Sequence, residues 1–472
     1  MEDAGKTVLF EKTPIPKAVV TLALPTVLSS LVMVLYSLAD TWFVGMVNDP
    51  VQNAAVTLAS PVLLAFNAVN NLFGVGSSSM MGRALGRKDL DTVKRCSAFG
   101  IWASVLSGLL FSLAFTAFKM PFLNILGAVP ENLAATSDYL HWTVTFGAAP
   151  SILNVVMAYL VRTEGASMHA SIGTMSGCLL NIVLDPVFVL YFGMGAAGAG
   201  LATFVSNCVA CLYFLLLLFI KRGTTYVCIR PRMAKPKKEI VAGICAVGIP
   251  ASIQNLLNVT GMTILNNFTS AFGSDAVAAM GIAYKINMVP MQVSFGLTQG
   301  IMPLISYNFG SRNYARAKKT VLFTGKVAVG FLICIAAAFY VFAGELMGLF
   351  IGNAAIIAYG RSFLSGMCLS LPFLCMDFLG VITYQACGKG MLSLVFAFLR
   401  KIVLEIPALF LLNALFPLYG LAYAQFAAEV ILAFAAAAVL ANMFRRMESE
   451  SSAQGAKKLL RKNFSDRNAG RS

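Results

Sequence analysis

The sequence has few charged residues and almost no histidine. Only 12% of its 472 residues are charged and two are histidines, whereas an ordinary soluble domain carries about 25% charged residues. His141 and His169 stand alone, and neither a zinc-spaced set of four ligands nor a GxxxxGK[ST] phosphate loop occurs. An integral membrane enzyme would need a nucleophile, a base or a metal cluster at the membrane surface. We therefore expect no catalytic residue and no enzymatic activity, and an integral membrane enzyme is kept only as an alternative.

Close cysteine pairs and a signal peptide are also missing. The ten cysteines are scattered through apolar stretches, and Cys208 and Cys211 form the only close pair, which favours buried thiols over a disulfide framework. The N-terminal MEDAGKTVLFEKTPIPK lacks the basic flank, short apolar core and small-residue cleavage site of a signal peptide. We expect the first apolar stretch to be retained as a membrane helix.

Long apolar stretches dominate the chain instead. Hydrophobic residues make up 58% of it, and its mean hydropathy is +0.78. About twelve stretches are long enough to cross a hydrocarbon layer of ~30 Å. This predicts an all-α integral membrane protein with about twelve transmembrane helices. The predicted spans begin near Ile15, Ala54, Cys96, Asn132, Met168, Ala197, Ile240, Val277, Ala317, Ala355, Met391 and Gly420.

The net charge of +15 is concentrated in alternate connections between the spans. An excess of lysine and arginine marks cytoplasmic connections, so the pattern predicts a multi-pass protein of the cell membrane with both termini in the cytoplasm. It also argues against a nucleic-acid partner, although binding by the basic tail is an alternative to a disordered end or to attraction by anionic lipid. The basic connections hold Arg83, Arg87, Lys88, Lys94, Arg95, Lys221, Arg222, Arg230, Arg232, Lys235, Lys237, Lys238, Arg312, Arg316, Lys318 and Lys319.

The chain repeats itself at an offset of about 220 to 225 residues. Six spans per half is an even number, so the two halves have one orientation and are related by a pseudo-twofold axis along the membrane normal. Parallel repeats of this kind are typical of transporters whose lobes rock around a central cavity. The matched positions are Pro25 and Pro250, Gly86 and Gly310, Pro150 and Pro372, Gly165 and Gly388, Pro186 and Pro407, and Gly200 and Gly420. The predicted parts are an N-terminus (1–15), a first lobe (16–220), a linker (221–238), a second lobe (239–444) and a basic tail (445–472).

Two carboxylates, Asp40 and Asp185, lie inside apolar spans with no lysine or arginine nearby. Such acids are costly in a membrane and mark an ion or substrate pathway, although a carboxyl that only supports helix packing is the alternative. Asn181 is one helical turn from Asp185, and Thr203 lies at a similar depth. Oxygen ligands of this kind suit Na⁺ or proton exchange. Pro25 can bend the span that carries Asp40.

The sequence around these residues resembles the multidrug and toxic compound extrusion (MATE) family, in particular its bacterial drug exporters. The resemblance is carried by LALPTVLSSLVMVLYSLADTWFVG, by NIVLDPVFVLYFGMGAAGAGLATFVSN and by ITYQACGKG. It implies a secondary active exporter that exchanges amphipathic organic cations for H⁺ or Na⁺ by alternating access. It also implies a cation-coupling site at Asp40, Asn181, Asp185 and Thr203, which would hold Na⁺ if Na⁺ is the coupling ion. A supporting polar shell of Tyr36, Tyr139 and Asn154 is implied around it.

The same resemblance implies a wide cavity for small cationic substrates, in a protein that we expect to function as a monomer among membrane lipids. Some family members place a coupling acid on span 7, but this span has none, which favours the first lobe. A lipid-linked oligosaccharide flippase is the nearest alternative, although Lys285, Lys326, Arg400 and Lys401 are the few basic residues inside spans. Asp377, Glu405 and Glu429 are further candidate acids, each either a hydrogen-bonding group in helix packing or a counter-charge for the substrate. The cavity candidates are Met33, Met157, Gln254, Asn258, Met262, Met288, Met291 and Asp377.

Overall fold

The computed structural model describes residues 2–47 and 49–469, so Met1, Asn48 and the last three residues of the predicted tail lie outside the described residues. Its α-helices are α1 (Glu2–Glu11), α2 (Ile15–Met46), α3 (Pro50–Asn70), α4 (Gly76–Gly86), α5 (Leu90–Ala117), α6 (Lys119–Ile125), α7 (Leu133–Leu140), α8 (Ala148–Thr163), α9 (Ser167–Asp185), α10 (Gly195–Ile220), α11 (Lys238–Ser270), α12 (Ser274–Gly310), α13 (Tyr314–Val341), α14 (Ala343–Gly348), α15 (Ala354–Cys368), α16 (Leu371–Ala386), α17 (Gly390–Phe398), α18 (Ile406–Leu415) and α19 (Tyr419–Ala469). Four π-helical segments, Asn71–Val75, His141–Phe146, Pro186–Tyr191 and Leu399–Glu405, and one 3₁₀ turn, Pro231–Ala234, complete the helical elements described.

These helices form the expected twelve spans. Eight stretches within the described residues are long and apolar enough to cross a membrane, and two bent helix pairs bring the number to ten. The other two spans are α12, which carries polar groups such as Gln292 and Gln299, and the stretch from α17 through α18, which carries the charged residues Arg400, Lys401 and Glu405. Each span begins within six residues of its predicted start. The all-α, twelve-helix prediction is confirmed.

The repeat is visible in the turn that leads into the third span of each lobe. Lys88 and Arg312 both adopt a left-handed backbone conformation, with φ of 60° and 61°. The next residue caps the helix in each lobe: the Asp89 carboxylate accepts from the Thr92 N–H, and the Asn313 side chain accepts from the Arg316 N–H. These caps satisfy amide groups that would otherwise be unpaired at a helix start.

The fourth span of each lobe is bent at matching places. The axes of 133–146 and α8 differ by 51°, and those of α15 and α16 differ by 44°. Pro150 is the third residue of α8 and Pro372 is the second residue of α16, so each follows its bend directly. A proline is tolerated in the first turn of a helix, where its missing N–H would be unpaired anyway. Pro25, by contrast, lies within the continuous helix α2.

The two lobes meet where small residues let helices approach closely. In the second lobe, α12 packs against α2 and α4 of the first lobe. A Cβ atom on Gly300 of α12 would lie 2.5 Å from the Cα of Ala23, and one on Gly248 of α11 would lie 2.1 Å from the carbonyl oxygen of Leu72. Close backbone contact at small residues replaces the hydrophobic driving force that is missing between helices in lipid.

Candidate functional site

Asp185 and Asn181 share one face at the end of α9. Both side chains are buried, with 1% and 2% of their surface exposed. With its amide oriented to satisfy both neighbours, Asn181 donates to Asp185 Oδ2 at 2.8 Å and accepts from the Thr203 backbone N–H at 3.0 Å. The one-turn spacing predicted this pair, and the contact with α10 places Thr203 beside it.

The second acid joins this group through two tyrosines. Asp40 lies one turn after Tyr36 on α2, and its side chain is half-buried. The hydroxyl of Tyr36 lies beside Thr203 and within electrostatic range of Asp40 and Asp185. Buried Tyr139 lies within electrostatic range of both carboxyls as well. The structure therefore brings together Asp40, Asp185 and the four neutral groups Tyr36, Tyr139, Asn181 and Thr203.

Asn154 lies beside this cluster and makes its hydrogen bonds to other residues. Its amide donates to Asn207 Oδ1 at 2.8 Å and to the Pro150 carbonyl at 3.1 Å, whereas no hydrogen bond to either carboxylate is recorded for it among the described side chains. Asn207 follows Thr203 by one turn on α10 and was missed in the sequence. Its position four residues after Thr203, inside an apolar helix, was the available signal.

The cluster, which we call the first-lobe acid site (Tyr36, Asp40, Tyr139, Asn181, Asp185 and Thr203), contains acids without a cationic partner. No salt bridge to Asp40 or Asp185 is recorded among the described side chains. The described residues also contain no set of three or more histidines, cysteines or carboxylates arranged to hold a metal ion. A Na⁺ ion would therefore need the hydroxyl and amide oxygens in addition to the two carboxylates, and these are the hard ligands that it accepts.

A cavity of about 340 Å³ lies mainly in the second lobe. Four predicted cavity residues line it: Gln254, Asn258, Met262 and Met291. Amides, aromatic rings and aliphatic side chains form the rest of its wall, so it can contact both the polar and the apolar parts of a ligand. The other lining residues include Asn71, Asn255, Tyr284, Gln292, Phe295, Gln299, Met367, Phe378, Gln385, Arg400, Lys401, Glu405 and Gln425.

The other four cavity candidates do not line this space. Met157 is fully buried in the hydrophobic core, and Met33 is 44% exposed on α2. Met288 is half-buried on α12 and lies outside the lining. Asp377 is buried behind the wall, where its Oδ2 accepts from Arg400 Nη1 at 2.9 Å. Residue type alone did not separate these positions from the residues that line this space.

A buried ion-pair network lies beside the cavity. Arg400, 4% exposed, bonds to Asp377 and also to Asn258, and its Nη1 lies 3.9 Å from Glu429 Oε1. One residue further, Lys401 Nζ donates to Glu405 Oε1 at 2.6 Å. The sequence identified these residues one by one but not the pairings of Arg400. We call the five charged residues (Asp377, Arg400, Lys401, Glu405 and Glu429) the second-lobe ion network.

Comparisons with known proteins agree on one family. The MatE family model matches residues 25–187 and 250–411. A "Multidrug export protein MepA" from Staphylococcus aureus (strain MRSA252) is 34% identical over 448 residues, which cover 94% of this chain and 97% of that protein.

Solved structures give the same result. One described as the outward-facing conformation of a multidrug resistance MATE family transporter of the MOP superfamily has a TM-score of 0.87 at 26% identity, covering 94% of this chain and 99% of the other. A MOP superfamily transporter from Pyrococcus furiosus Vc1, described as having a binding pocket of reverse polarity that suggests a different function, has a TM-score of 0.87 at 26% identity, with 94% and 98% coverage. The likeness therefore extends over nearly the whole fold.

Proposed function

Because the chain belongs to the MatE family, we propose that it is a secondary active multidrug exporter, which exchanges amphipathic organic cations for H⁺ or Na⁺ by alternating access. The observation that carries the proposal is the first-lobe acid site. Two carboxylates, Asp40 and Asp185, lie within electrostatic range of each other in an apolar lobe, with only neutral groups recorded as their neighbours. Transport, rather than catalysis, is the activity that such a site supports.

The chemistry of the site supports ion coupling. Burial disfavours two charged carboxylates in one place, and their mutual repulsion disfavours them further. A proton or a Na⁺ ion relieves that cost, whereas an empty site keeps it. The ion drives export when it binds the two conformations of the transporter with different affinities, so the site must change shape between them. Tyr36 and Asp40 are on α2, which packs against α12 of the other lobe and can transmit such a change.

The orientation follows from the basic connections, and we place both termini in the cytoplasm. On this side, α1 bridges the lobes: Phe10 stacks on Tyr307 at 4.8 Å between ring centroids, and the Tyr307 hydroxyl donates to Glu11 at 2.7 Å. Gly86 and Gly310 approach the facing backbone of the other lobe, each with a hypothetical Cβ atom within 2.1 Å of a carbonyl oxygen. These contacts support a conformation that is closed towards the cytoplasm.

The cavity supports an amphipathic cation as substrate. Its wall combines Met262, Met291 and Phe295 with a row of amides, and soft thioether and aromatic groups adapt to ligands of varied shape. The second-lobe ion network contains three carboxylates against two cations, so it carries an excess of negative charge when all five groups are ionised. A positively charged ligand is favoured by that excess.

A flippase for lipid-linked oligosaccharides is the second candidate, because Arg400 and Lys401 both line the cavity. A pyrophosphate ligand would need these cations to be available. Each is bonded to a carboxylate instead, Arg400 to Asp377 and Lys401 to Glu405, which favours the exporter.

The proposal is tested by efflux of tetraphenylphosphonium from proteoliposomes with an imposed proton or sodium gradient. Wild-type protein should export the cation when one of the two gradients is applied. Asp40→Asn and Asp185→Asn should each reduce gradient-driven export by about 5- to 150-fold, the range that corresponds to a coupling free energy of about 1–3 kcal/mol.

Asp138→Asn is the matched control, because Asp138 is an exposed acid beside Tyr139 and makes the same acid-to-amide change outside the site. It should keep wild-type export. Unimpaired export by both site variants would contradict coupling through the first lobe. If neither gradient drives the export of any organic cation by the wild type, the flippase is favoured.

A further inference from the structure

A second pocket lies in the second lobe and shares no lining residue with the cavity. It is a groove of about 360 Å³ between α13, α16 and α19. Helix α16 packs against both α13 and α19, and its Met376 and Leu379 form the floor. We call this space the α13–α19 groove.

The walls of the groove suit a hydrocarbon chain. Val321 and Leu322 of α13 face Leu440 and Phe444 of α19, and no acidic residue is among the described residues of the lining. Ala437 and Ala441 are exposed on the α19 side, and their small side chains leave the groove open. An acyl chain fits such a space because both surfaces are apolar.

A lysine in the middle of α13 opens into the same groove. Lys326 is exposed and lies twelve residues after Tyr314, which corresponds to about 18 Å along the helix. No hydrogen bond or ion pair is recorded for it among the described side chains. Lys318 lies near the start of α13, and its Nζ donates to Glu448 at 3.0 Å. A charged lysine this far inside a span is costly unless its head reaches the interface or an anion.

We propose that the α13–α19 groove binds an anionic phospholipid, with an acyl chain between α13 and α19 and the headgroup phosphate on Lys326. A lysine for which no ion pair is recorded among the described side chains, in an apolar groove, matches the chemistry of that lipid, because one molecule supplies both the chain and the negative charge. The proposed orientation of the protein, with both termini in the cytoplasm, decides only which leaflet supplies the lipid. With that orientation the lipid comes from the cytoplasmic leaflet. The groove is separate from the first-lobe acid site.

Two other ligands are less well matched. Inorganic phosphate would satisfy Lys326 but would leave the apolar walls empty. Phosphatidylcholine would fill the walls, but its choline carries a positive charge that Lys326 repels.

The test uses purified full-length protein and native mass spectrometry, with dioleoylphosphatidylglycerol, dioleoylphosphatidylcholine or inorganic phosphate added at equal concentration. Wild-type protein should retain phosphatidylglycerol about fivefold better than phosphatidylcholine, as expected for one lysine near an anionic headgroup. Lys326→Gln should lose this preference. Ala437→Phe, which fills the groove without changing its charge, should retain less of both lipids.

Lys319→Gln is the control, because Lys319 is an exposed lysine of the same helix outside the groove and should keep the wild-type preference. The thermal unfolding midpoint of each variant verifies that it is folded. Equal retention of the two lipids by the wild type, an unchanged preference in Lys326→Gln, or full retention in Ala437→Phe would overturn the proposal. Retention of inorganic phosphate in place of lipid would also overturn it. None of these readings depends on transport.

Discussion

The two lobes share the turn that leads into their third span but differ in how they hold their acids. Lys88 and Arg312 have almost the same backbone conformation, and Asp89 and Asn313 cap their helices in the same way. The acids of the first-lobe acid site have neutral neighbours, whereas the second lobe surrounds Arg400 and Lys401 with carboxylates. Duplication therefore kept the backbone geometry while the side-chain chemistry of the lobes diverged.

This difference separates two roles for an acid in a membrane. A carboxylate that is bonded to an arginine already has its counter-charge, so binding another cation requires that pair to break. A carboxylate with only hydroxyl and amide neighbours lacks a counter-charge and gains most from H⁺ or Na⁺. The first lobe is therefore suited to ion coupling, and the second-lobe ion network is suited to fixing the shape and charge of the cavity wall.

The largest expected effect comes from removing the central cation of the second-lobe ion network. Arg400→Met leaves Asp377 and Glu429 buried without a counter-charge, so it should lower the free energy of unfolding by about 3–5 kcal/mol. Titration with sodium dodecyl sulfate in mixed micelles measures this change. Asp377→Leu combined with Arg400→Met should recover part of the loss, because one of the unpaired acids is then gone.

Arg361→Met is the control for this experiment, because Arg361 is an exposed arginine of the same lobe. It should change the free energy of unfolding by no more than about 0.5 kcal/mol. If Arg400→Met were as stable as wild type, the network would not be holding the second lobe, and the contrast between the lobes would fail.

A smaller effect is expected from the cation at the cavity surface. Lys401→Met frees Glu405 to interact with a cationic substrate, so the affinity for tetraphenylphosphonium should rise by up to about tenfold, or ~1.4 kcal/mol. Equilibrium binding in detergent measures it. Lys285→Met, which removes an exposed lysine outside the lining, should leave the affinity unchanged. Weaker binding in Lys401→Met would indicate that Lys401, rather than Glu405, contacts the ligand.

The smallest effects test the part that the lobes share. Asp89→Ala and Asn313→Ala each remove a helix cap and should each lower the free energy of unfolding by about 1 kcal/mol at neutral pH. A large difference between the two variants at neutral pH would show that the caps are not equivalent.

Acid should distinguish the two caps. Side-chain and backbone hydrogen bonds with Thr92 hold the pKa of Asp89 below its ordinary value. The stabilisation by Asp89 is therefore present above the unfolded-state pKa of about 3.9 and is lost as the pH falls through the lower folded-state pKa. The effect of Asp89→Ala should shrink in that range, whereas that of Asn313→Ala should not, because an amide does not titrate. Unfolding titrations at pH 7 and below pH 4 measure the difference.

Much of the first-lobe acid site could be predicted from the sequence. Asn181 and Asp185 are one turn apart on a single helix, so their contact follows from helical geometry alone. Asp40 and Thr203 also followed from the residues, because an acid inside an apolar span is costly and Thr203 lies at a similar depth. The resemblance to a known family then added Tyr36 and Tyr139. Asn207 was missed because an asparagine in an apolar helix does not show by itself which way it faces.

The second lobe was harder to predict. Arg400 and Asp377 are 23 residues apart on different spans, and their contact depends on how each helix is rotated and where it bends. Arg400 lies in the π-helical segment Leu399–Glu405, which changes the direction of side chains relative to a regular α-helix. Met157 illustrates the same limit, because its residue type suited the cavity while its helix face was packed in the core.

The sequence by itself determined that this protein crosses the membrane about twelve times and is built from two halves. Hydrophobic length and the spacing of prolines and glycines are local properties, so they can be read without knowing which helices meet. The tertiary structure decided which acids have a cationic partner and which residues surround the cavity. Those outcomes depend on helices far apart in the chain, because a side chain gains a counter-charge only when its own helix and another one turn the right faces towards each other.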